Sequence, residues 1–257
     1  MSGTTFVYID YGPSPYIGRE LRYSLATLLA EVPAADVVVY TDKPREYEAL
    51  PVAPQPIGDR LGAWTRDGVY NHRIKPCVLA DALGAQSGPC VLMDTDSWIE
   101  PGFAATLAAG SAMDRFEQRD PYPELAGFKT RLPHAGEYVY APETAVMFNS
   151  GLIAARDAAP VEDAIALIDA LWDAGRRKFN IEQIAVSESF RLHGLVIGET
   201  FPAFQHYCRR SLKRYMHWRI DAWMKRAPFA PTRPCIAHPR NAVRAFNWVN
   251  RVGRWYA

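Results

Sequence analysis

Two carboxylates separated by one residue are the side chains best suited to chemistry. Asp94 and Asp96 directly follow the apolar run 90–93, which has the composition of a buried strand. Carboxylate oxygens are the ligands that Mg²⁺ and Mn²⁺ prefer, and such ions commonly bridge to phosphates. The pattern therefore predicts a divalent-metal and phosphate site at the end of this strand. The alternative is an ordinary turn or helix cap.

The elements that position this pair follow from the hydrophobic pattern. Short apolar runs predict strands at 5–9, 37–40, 90–93, 144–148 and 152–155. Apolar residues at helical spacing predict helices over 21–32, 74–83, 161–174 and 181–190. This alternation predicts an α/β fold, with a mostly parallel, Rossmann-like sheet and helices on both faces. Ligands of such sheets bind beyond the carboxyl ends of the strands, where the two aspartates fall.

Composition is that of an ordinary globular protein. The 257 residues are 49% hydrophobic and 22% charged, and they can bury a sizeable core. The sequence contains no apolar run of the roughly 18–20 residues that span a bilayer, and it begins without a secretory signal. The cysteines Cys77, Cys90, Cys208 and Cys235 form no C-x-x-C pair, which favours reduced thiols. We therefore expect a cytoplasmic protein.

Charge is distributed unevenly along the chain. Residues 205–257 carry twelve Lys and Arg against one acid, Asp221, whereas residues 1–204 carry 17 basic and 27 acidic residues. We expect residues 1–204 to form the ligand-binding domain and the basic aromatic segment 205–257 to complete the site or to meet an anionic partner. No nucleic-acid-binding motif accompanies the basic charge, so nucleic acid is not an expected partner.

The stretch 209–226 combines apolar residues at helical spacing with many cations, which predicts a basic amphipathic helix. One interpretation is a peripheral contact with the inner face of a membrane. The other is a helix whose apolar stripe packs on the protein core while its cations are solvated.

Several short blocks resemble the GT-A fold glycosyltransferases, and within them glycosyltransferase family 8, the glycogenin and lipopolysaccharide galactosyltransferase type. The blocks, spread over roughly residues 5–240, are a helix bearing Arg73 and Lys75, the strand before Asp94-Thr95-Asp96, and Phe148-Asn-Ser-Gly-Leu-Ile153. The resemblance implies a metal-dependent hexosyltransferase that moves a sugar from a nucleoside diphosphate sugar to an acceptor hydroxyl with retention, in glycan or surface-polysaccharide synthesis. The acceptor would be a glycan, a lipid-linked molecule or a small molecule.

The resemblance also implies roles for individual residues. Asp94, Asp96 and His238 would bind Mn²⁺ or Mg²⁺, with Asp94 and Thr95 also contacting the donor. The segment Asn149-Ser150-Gly151 would line the donor sugar. Glu182 and Gln183, which stand where the family has an Asp-Gln pair, would face the reacting carbon. After His238 the family's H-F-x-G-x-x-K-P-W tail is replaced by His-Pro-Arg-Asn.

Further donor-binding candidates follow from position alone. Arg73 and Lys75 surround a helix start, where cations and free N–H groups favour an anion. The loops after the first two strands should meet the nucleotide by the strand-end rule, and they contribute Asp10, Tyr11, Thr41 and Asp42. Each element has a plain alternative: a solvated basic face at the helix start, a turn at 149–151, and a capping box closed by Gln183.

Three other functions compete with glycosyl transfer. A carbohydrate- or nucleotide-sugar-binding protein without turnover would share the same cleft. A phosphohydrolase of the haloacid dehalogenase type also uses strand-D-x-D, but that motif usually lies near the N-terminus and continues with Thr or Val where this chain has Trp98. A sugar nucleotidyltransferase needs a Gly-rich phosphate loop near its first strand, and residues 11–15 do not form one.

Overall fold

The computed structural model describes residues 3–108, 110–119, 121–226 and 229–231. The strands are β1 (Thr5–Asp10), β2 (Asp36–Thr41), β3 (Ala53–Pro56), β4 (Cys90–Met93), β5 (Ser97–Ile99), β6 (Ala112–Met113), β7 (Phe116–Arg119), β8 (Lys129–Leu132), β9 (Gly136–Val139), β10 (Val146–Phe148), β11 (Leu152–Ala155), β12 (Gly198–Glu199) and β13 (Phe204–His206). The α-helices are α1 (Pro15–Glu31), α2 (Arg60–Thr65), α3 (Ile74–Ala85), α4 (Phe103–Thr106), α5 (Ala158–Asp173), α6 (Ile181–Leu192) and α7 (Arg210–Arg226). Short 3₁₀ helices cover Pro44–Tyr47, Asn71–Arg73 and Pro123–Leu125.

Seven strands form one mixed sheet in the order β12-β6-β11-β4-β1-β2-β3. All run parallel except β11, which lies antiparallel between β4 and β6. The prediction of an α/β protein with a mostly parallel sheet is confirmed at this level, and the arrangement is compatible with a Rossmann-like fold. Because β11 is reversed, its first residue lies at the same sheet edge as the carboxyl ends of β4 and β6.

Helices cover both faces of this sheet, because the central strands are apolar on both sides. Val7 of β1 belongs to a buried cluster that contains side chains of α3, α5 and α6. Its neighbours Phe6 and Tyr8 point to the opposite face and belong to a cluster with α1. Alternation along one strand thus builds the two halves of the core.

Among the described residues, three smaller antiparallel pairs accompany the main sheet. β13 pairs with β5, β10 pairs with β7, and β8 pairs with β9. The β5–β13 pair crosses the expected domain boundary, since the division between residues 204 and 205 falls within β13. The start of the basic segment is therefore built into the body of the protein.

The predicted basic helix is present as α7, and its apolar stripe is buried in the protein. Tyr215, Met216 and Ile220 pack in a cluster with Tyr23 of α1 and Trp98 of β5. The apolar stripe of α7 therefore packs on the protein core, whereas the peripheral membrane contact stays a prediction. Within the described part of the chain, no helix combines the length and the apolar character needed to cross a bilayer.

Candidate metal and anion-binding site

The two aspartates lie at the carboxyl end of β4, as the strand-end rule predicts. The backbone N–H of Asp94 donates to the carbonyl of Gly151, at 2.8 Å, and so ties this end to the start of β11. The hydroxyl of Ser97 donates to the carbonyl of Asp94, at 2.7 Å, and closes a tight turn around the pair. This turn directs Asp96 inward, where it is 8% exposed.

A histidine distant in sequence completes a three-residue group. His206 lies directly opposite Ser97 in the β5–β13 register, and the N–H of Tyr207 donates to the carbonyl of Asp96, at 2.9 Å. Nε2 of His206 consequently lies 3.3 Å from Oδ1 of Asp96 and 3.5 Å from Oδ2 of Asp94. One ligand atom from each of the three residues falls within 4.8 Å of the others.

This group fits a divalent cation. Ligands about 2.1 Å from an octahedral ion lie about 3 Å apart, close to the separations between the histidine nitrogen and the two carboxylates. Two carboxylates with one imidazole suit Mn²⁺ well, because that ion accepts both oxygen and nitrogen ligands. The expected metal is therefore supported by a partly buried Asp94-Asp96-His206 group that could hold a metal ion.

Two lysines neutralise the carboxylates. Nζ of Lys75 on α3 lies 2.7 Å from Oδ2 of Asp94, and Nζ of Lys213 on α7 lies 2.9 Å from Oδ2 of Asp96. Burial alone would lower the pKa of Lys75, but the charges of Asp94 and Glu182 outweigh burial and raise it. For Lys213, burial is likewise outweighed by the charges of Asp96 and Glu20, and its pKa is raised. Both ammonium groups therefore remain charged beside the two aspartates, where they can also bind an anion.

Neighbouring charges keep Asp96 deprotonated and His206 protonated in the metal-free site. Burial would raise the pKa of Asp96, but hydrogen bonds and charges from His206 and Lys213 hold it well below its usual range. Burial would lower the pKa of His206, but the nearby carboxylates of Asp114 and Asp96 outweigh burial and raise it to about 10. A metal ion at this group would therefore displace a proton from the imidazole.

The segment Asn149-Ser150-Gly151 contributes to this group from the other side. Oδ1 of Asn149 accepts the N–H of Gly151 at 2.9 Å and lies 3.2 Å from Nδ1 of His206. A Cβ on Gly151 would lie 2.4 Å from the same nitrogen, closer than real Cβ contacts allow. Glycine is therefore needed at this position for the imidazole to reach the aspartates.

These residues open into a cleft of about 580 Å³ along the edge of the sheet. The apolar and aromatic part of its wall comes from Ile9, Tyr11, Ile17, Ile74, Met93 and Phe179. The polar part includes the metal group, both lysines, Glu20, His72, Thr95, Glu117, Asn149, Asn180, Glu182 and Gln183. The cleft thus combines apolar surface with a charged centre, as sites for amphipathic ligands do.

Glu182 and Gln183 lie in the first turn of α6, and their side chains differ in their hydrogen-bond partners. Glu182 is buried, and its carboxylate accepts hydrogen bonds from the hydroxyls of Tyr70, at 2.7 Å, and Ser150, at 2.9 Å. Oε1 of Gln183 is also buried and, among the described residues, has no hydrogen-bond partner. Gln183 is therefore the member of the pair with a group left to bind a ligand.

Among the described residues, Asn180 and Gln183 do not form the capping box that was the alternative interpretation of Gln183. Asn180 is the N-cap residue of α6, yet its side chain makes no capping hydrogen bond. Its amide instead contacts the hydroxyl of Tyr122 and the sulfur of Met147. The side chains of Asn180 and Gln183 both line the cleft.

Four of the expected donor-binding residues are engaged elsewhere. Arg73 forms a bidentate ion pair with Asp169 of α5: two guanidinium nitrogens lie 2.8 and 2.7 Å from the two carboxylate oxygens. Asp10 is fully buried, where it accepts the hydroxyl of Tyr47 and lies 3.2 Å from Nζ of Lys43. Thr41 is also fully buried, and Oδ2 of Asp42 accepts the backbone N–H of Gly12 at 2.9 Å. From the first two loops, Tyr11 is the expected residue that lines the cleft.

The histidine chosen from the sequence, His238, lies outside the described residues, and so does its neighbour Cys235. Among the described residues, His206 is the histidine that lies against the two aspartates. The usable sequence signal was weak: a histidine that ends a short run, Phe204-Gln-His206, and precedes the basic helix. Lys213 was visible only as one cation among many, because nothing local distinguishes it from its neighbours.

A second acidic group lies beside Asp96. Glu20 of α1 is buried, and Oε1 lies 2.6 Å from Nε2 of His217 and 3.9 Å from Nζ of Lys213. Thr95 donates from its hydroxyl to the other oxygen, at 3.4 Å. Together these contacts join α1 and α7 next to the metal group.

Comparisons with known proteins do not assign a family. No protein-family model matches this chain, and no curated protein matches it.

Proposed function

We propose that the protein is a metal-dependent glycosyltransferase of GT-A type that takes its sugar from a nucleoside diphosphate sugar. The observation that carries the proposal is that the partly buried Asp94-Asp96-His206 group lies together with Lys75 and Lys213 in one cleft. A hard cation and two ammonium groups are together what a diphosphate requires. The resemblance in short sequence blocks agrees with this chemistry.

Residues of the chain can be given roles in the transfer. When bound by Asp94, Asp96 and His206, a divalent cation supplies charge neutralisation for the diphosphate leaving group. Lys75 and Lys213 bind the phosphate oxygens and stabilise the negative charge as the sugar–phosphate bond breaks. The diphosphate leaves with the electrons of the sugar–phosphate bond, and the acceptor oxygen bonds to the anomeric carbon. The proton of the acceptor hydroxyl passes to an oxygen of the departing diphosphate.

The sugar would lie beside the start of α6. Gln183 offers a buried amide oxygen that has no partner among the described residues and can accept a sugar hydroxyl. Hydrogen bonds from Tyr70 and Ser150 fix the position of the Glu182 carboxylate beside the cleft. A fixed negative charge near the anomeric carbon stabilises the positive charge that develops there. Tyr11, which lines the cleft, is suited to stack on a base.

The test is incubation of the purified protein with a panel of nucleoside diphosphate sugars and Mn²⁺, followed by measurement of nucleoside diphosphate release. Transfer, or slow hydrolysis of one donor, that disappears in Asp94→Ala would support the proposal. Donor binding without any turnover would favour the binding-protein alternative. Phosphate release from simple monoesters would favour a phosphohydrolase, and full activity of Asp94→Ala would exclude the proposed metal site.

A further inference from the structure

Asp114 is a buried carboxylate that the proposed transfer does not use. It follows β6, at the same sheet edge as Asp94, and its side chain is fully buried. Oδ2 lies 3.4 Å from nitrogens of Arg115 and 3.7 Å from Nδ1 of His206. Among the described residues Oδ1 has no hydrogen-bond partner, although Nε of Arg115 passes at 3.3 Å.

Such a group is costly to keep. A buried carboxylate without a full set of hydrogen bonds destabilises the folded protein, so its retention needs a compensating contact. Arg115 offers only long contacts, and its own side chain is partly exposed. Within the described part of the chain, the other positive group that faces the carboxylate is the imidazole of His206.

The backbone holds Asp114 against the histidine. Its N–H donates to the carbonyl of Asn149, at 3.2 Å, and the N–H of Asn149 donates to the carbonyl of Arg115, at 2.8 Å. These two bonds fix the Asp114 carboxylate and the Asn149 amide on the same side of the imidazole. Nδ1 of His206 therefore faces the amide oxygen of Asn149 at hydrogen-bond distance, 3.2 Å, and the charge of the Asp114 carboxylate at 3.7 Å. Nε2 faces Asp94 and Asp96.

We propose that Asp114 is a positioning residue for the metal site: with Asn149 it holds a proton on Nδ1 of His206, so that Nε2 is the atom left to bind the cation. The inference rests on the metal site of the proposed function. Histidine ligands are generally oriented in this way by an oxygen acceptor on the other ring nitrogen, and loss of such an acceptor weakens metal binding by about 10- to 100-fold.

The experiment is calorimetric titration with Mn²⁺ of four proteins: the wild type, Asp114→Asn, His206→Gln and the double variant. Asp114→Asn should weaken Mn²⁺ binding by about tenfold or more. In the double variant, the Asp114 change should have no further effect, because it acts through His206. Asp163→Asn is the matched control, since Asp163 is also fully buried and accepts from His193 at 2.8 Å, away from the cleft.

Each outcome has a defined meaning. If Asp114→Asn binds Mn²⁺ as well as the wild type while His206→Gln does not, this inference is wrong and the metal site stands. If the Asp114 change weakens binding equally with and without His206, its role is structural and the inference also fails. If the wild type does not bind Mn²⁺, both the inference and the proposed metal site are overturned.

A second measurement does not depend on any variant folding. ¹⁵N NMR of the histidine rings in the Mg²⁺-loaded wild type reports which nitrogen of His206 carries the proton. The proposal requires a protonated Nδ1 and an unprotonated Nε2. A proton on Nε2 in the metal-loaded protein would overturn it.

Discussion

Nε2 of His206 lies 3.3 Å from Oδ1 of Asp96, although the two residues are far apart in the sequence. The antiparallel pairing of β13 with β5 creates this contact by aligning His206 with Ser97. A metal group assembled in this way depends on the pairing as much as on its ligands.

His206→Gln should weaken Mn²⁺ binding by at least about tenfold, because one of three protein ligands is lost while the two aspartates remain. Calorimetric titration measures the effect directly. His134→Gln is the control, since His134 contacts Glu162 away from the cleft and should leave the affinity unchanged. Equal Mn²⁺ affinity in His206→Gln and the wild type would remove His206 from the metal site.

Lys213→Gln should raise the KM for the donor and reduce the salt dependence of donor binding, because one of two phosphate-binding charges is removed. Lys225→Gln, on the same helix but at its far end, is the matched control. The measurement is donor affinity at low and moderate salt. Should both substitutions change donor affinity to the same degree, the effect would be one of general charge and not of a diphosphate contact.

Gly151→Ala should impair the metal site by displacing His206. The added methyl group would lie 2.4 Å from Nδ1 of the imidazole, so the ring must move away from the aspartates. We expect lower Mn²⁺ affinity together with a destabilisation of about 1–3 kcal/mol, the usual cost of overpacking.

Gly84→Ala provides the comparison for this substitution. Gly84 lies in α3 with nothing within 4 Å of the position that an added methyl group would take, so alanine there should be neutral or stabilising by up to about 1 kcal/mol. Thermal denaturation and Mn²⁺ titration of both variants test the pair. Retention of full metal affinity by Gly151→Ala would show that the imidazole need not occupy the observed position.

The stability of the metal-free protein should fall as pH rises. Burial opposes the charged form of His206, but Asp114 and Asp96 outweigh it and raise the pKa from 6.5 to about 10. Because the folded-state pKa lies above the unfolded one, the stabilisation is complete below about pH 6.5 and is lost as pH approaches 10. Denaturant unfolding with a chelator at about pH 6 and about pH 9 should show a larger loss for the wild type than for His206→Gln. An equal loss of unfolding free energy in the wild type and His206→Gln would contradict the assigned contacts of His206 with Asp114 and Asp96.

Much of the framework was predictable because its signals are local. The run 90–93 became β4, and the run 152–155 became β11, with the predicted bounds. Strand residues that are buried on both faces leave a continuous apolar run in the sequence, and a polar pair at its end is visible without any tertiary information. The position of Asp94 and Asp96 at the sheet edge follows from this pattern.

Neighbouring cations, by contrast, could not be told apart from sequence. Lys75 contacts Asp94, whereas Arg73, two residues earlier, contacts Asp169 on another helix. Residues two apart at a helix start point to different sides, so both look equally suited to bind phosphate until the helix is docked. The same applies to Lys213 among the many cations of α7.

The sequence by itself determined that two carboxylates end a buried strand of a mostly parallel α/β sheet. Tertiary structure alone decided which histidine joins them, which lysines neutralise them, and that the apolar stripe of α7 faces the core. A buried strand is recognisable because its apolar residues are consecutive in the sequence. The contacts of the site instead arise from the pairing of β5 with β13 and the packing of α7 on α1. Such long-range pairings leave little trace in local composition.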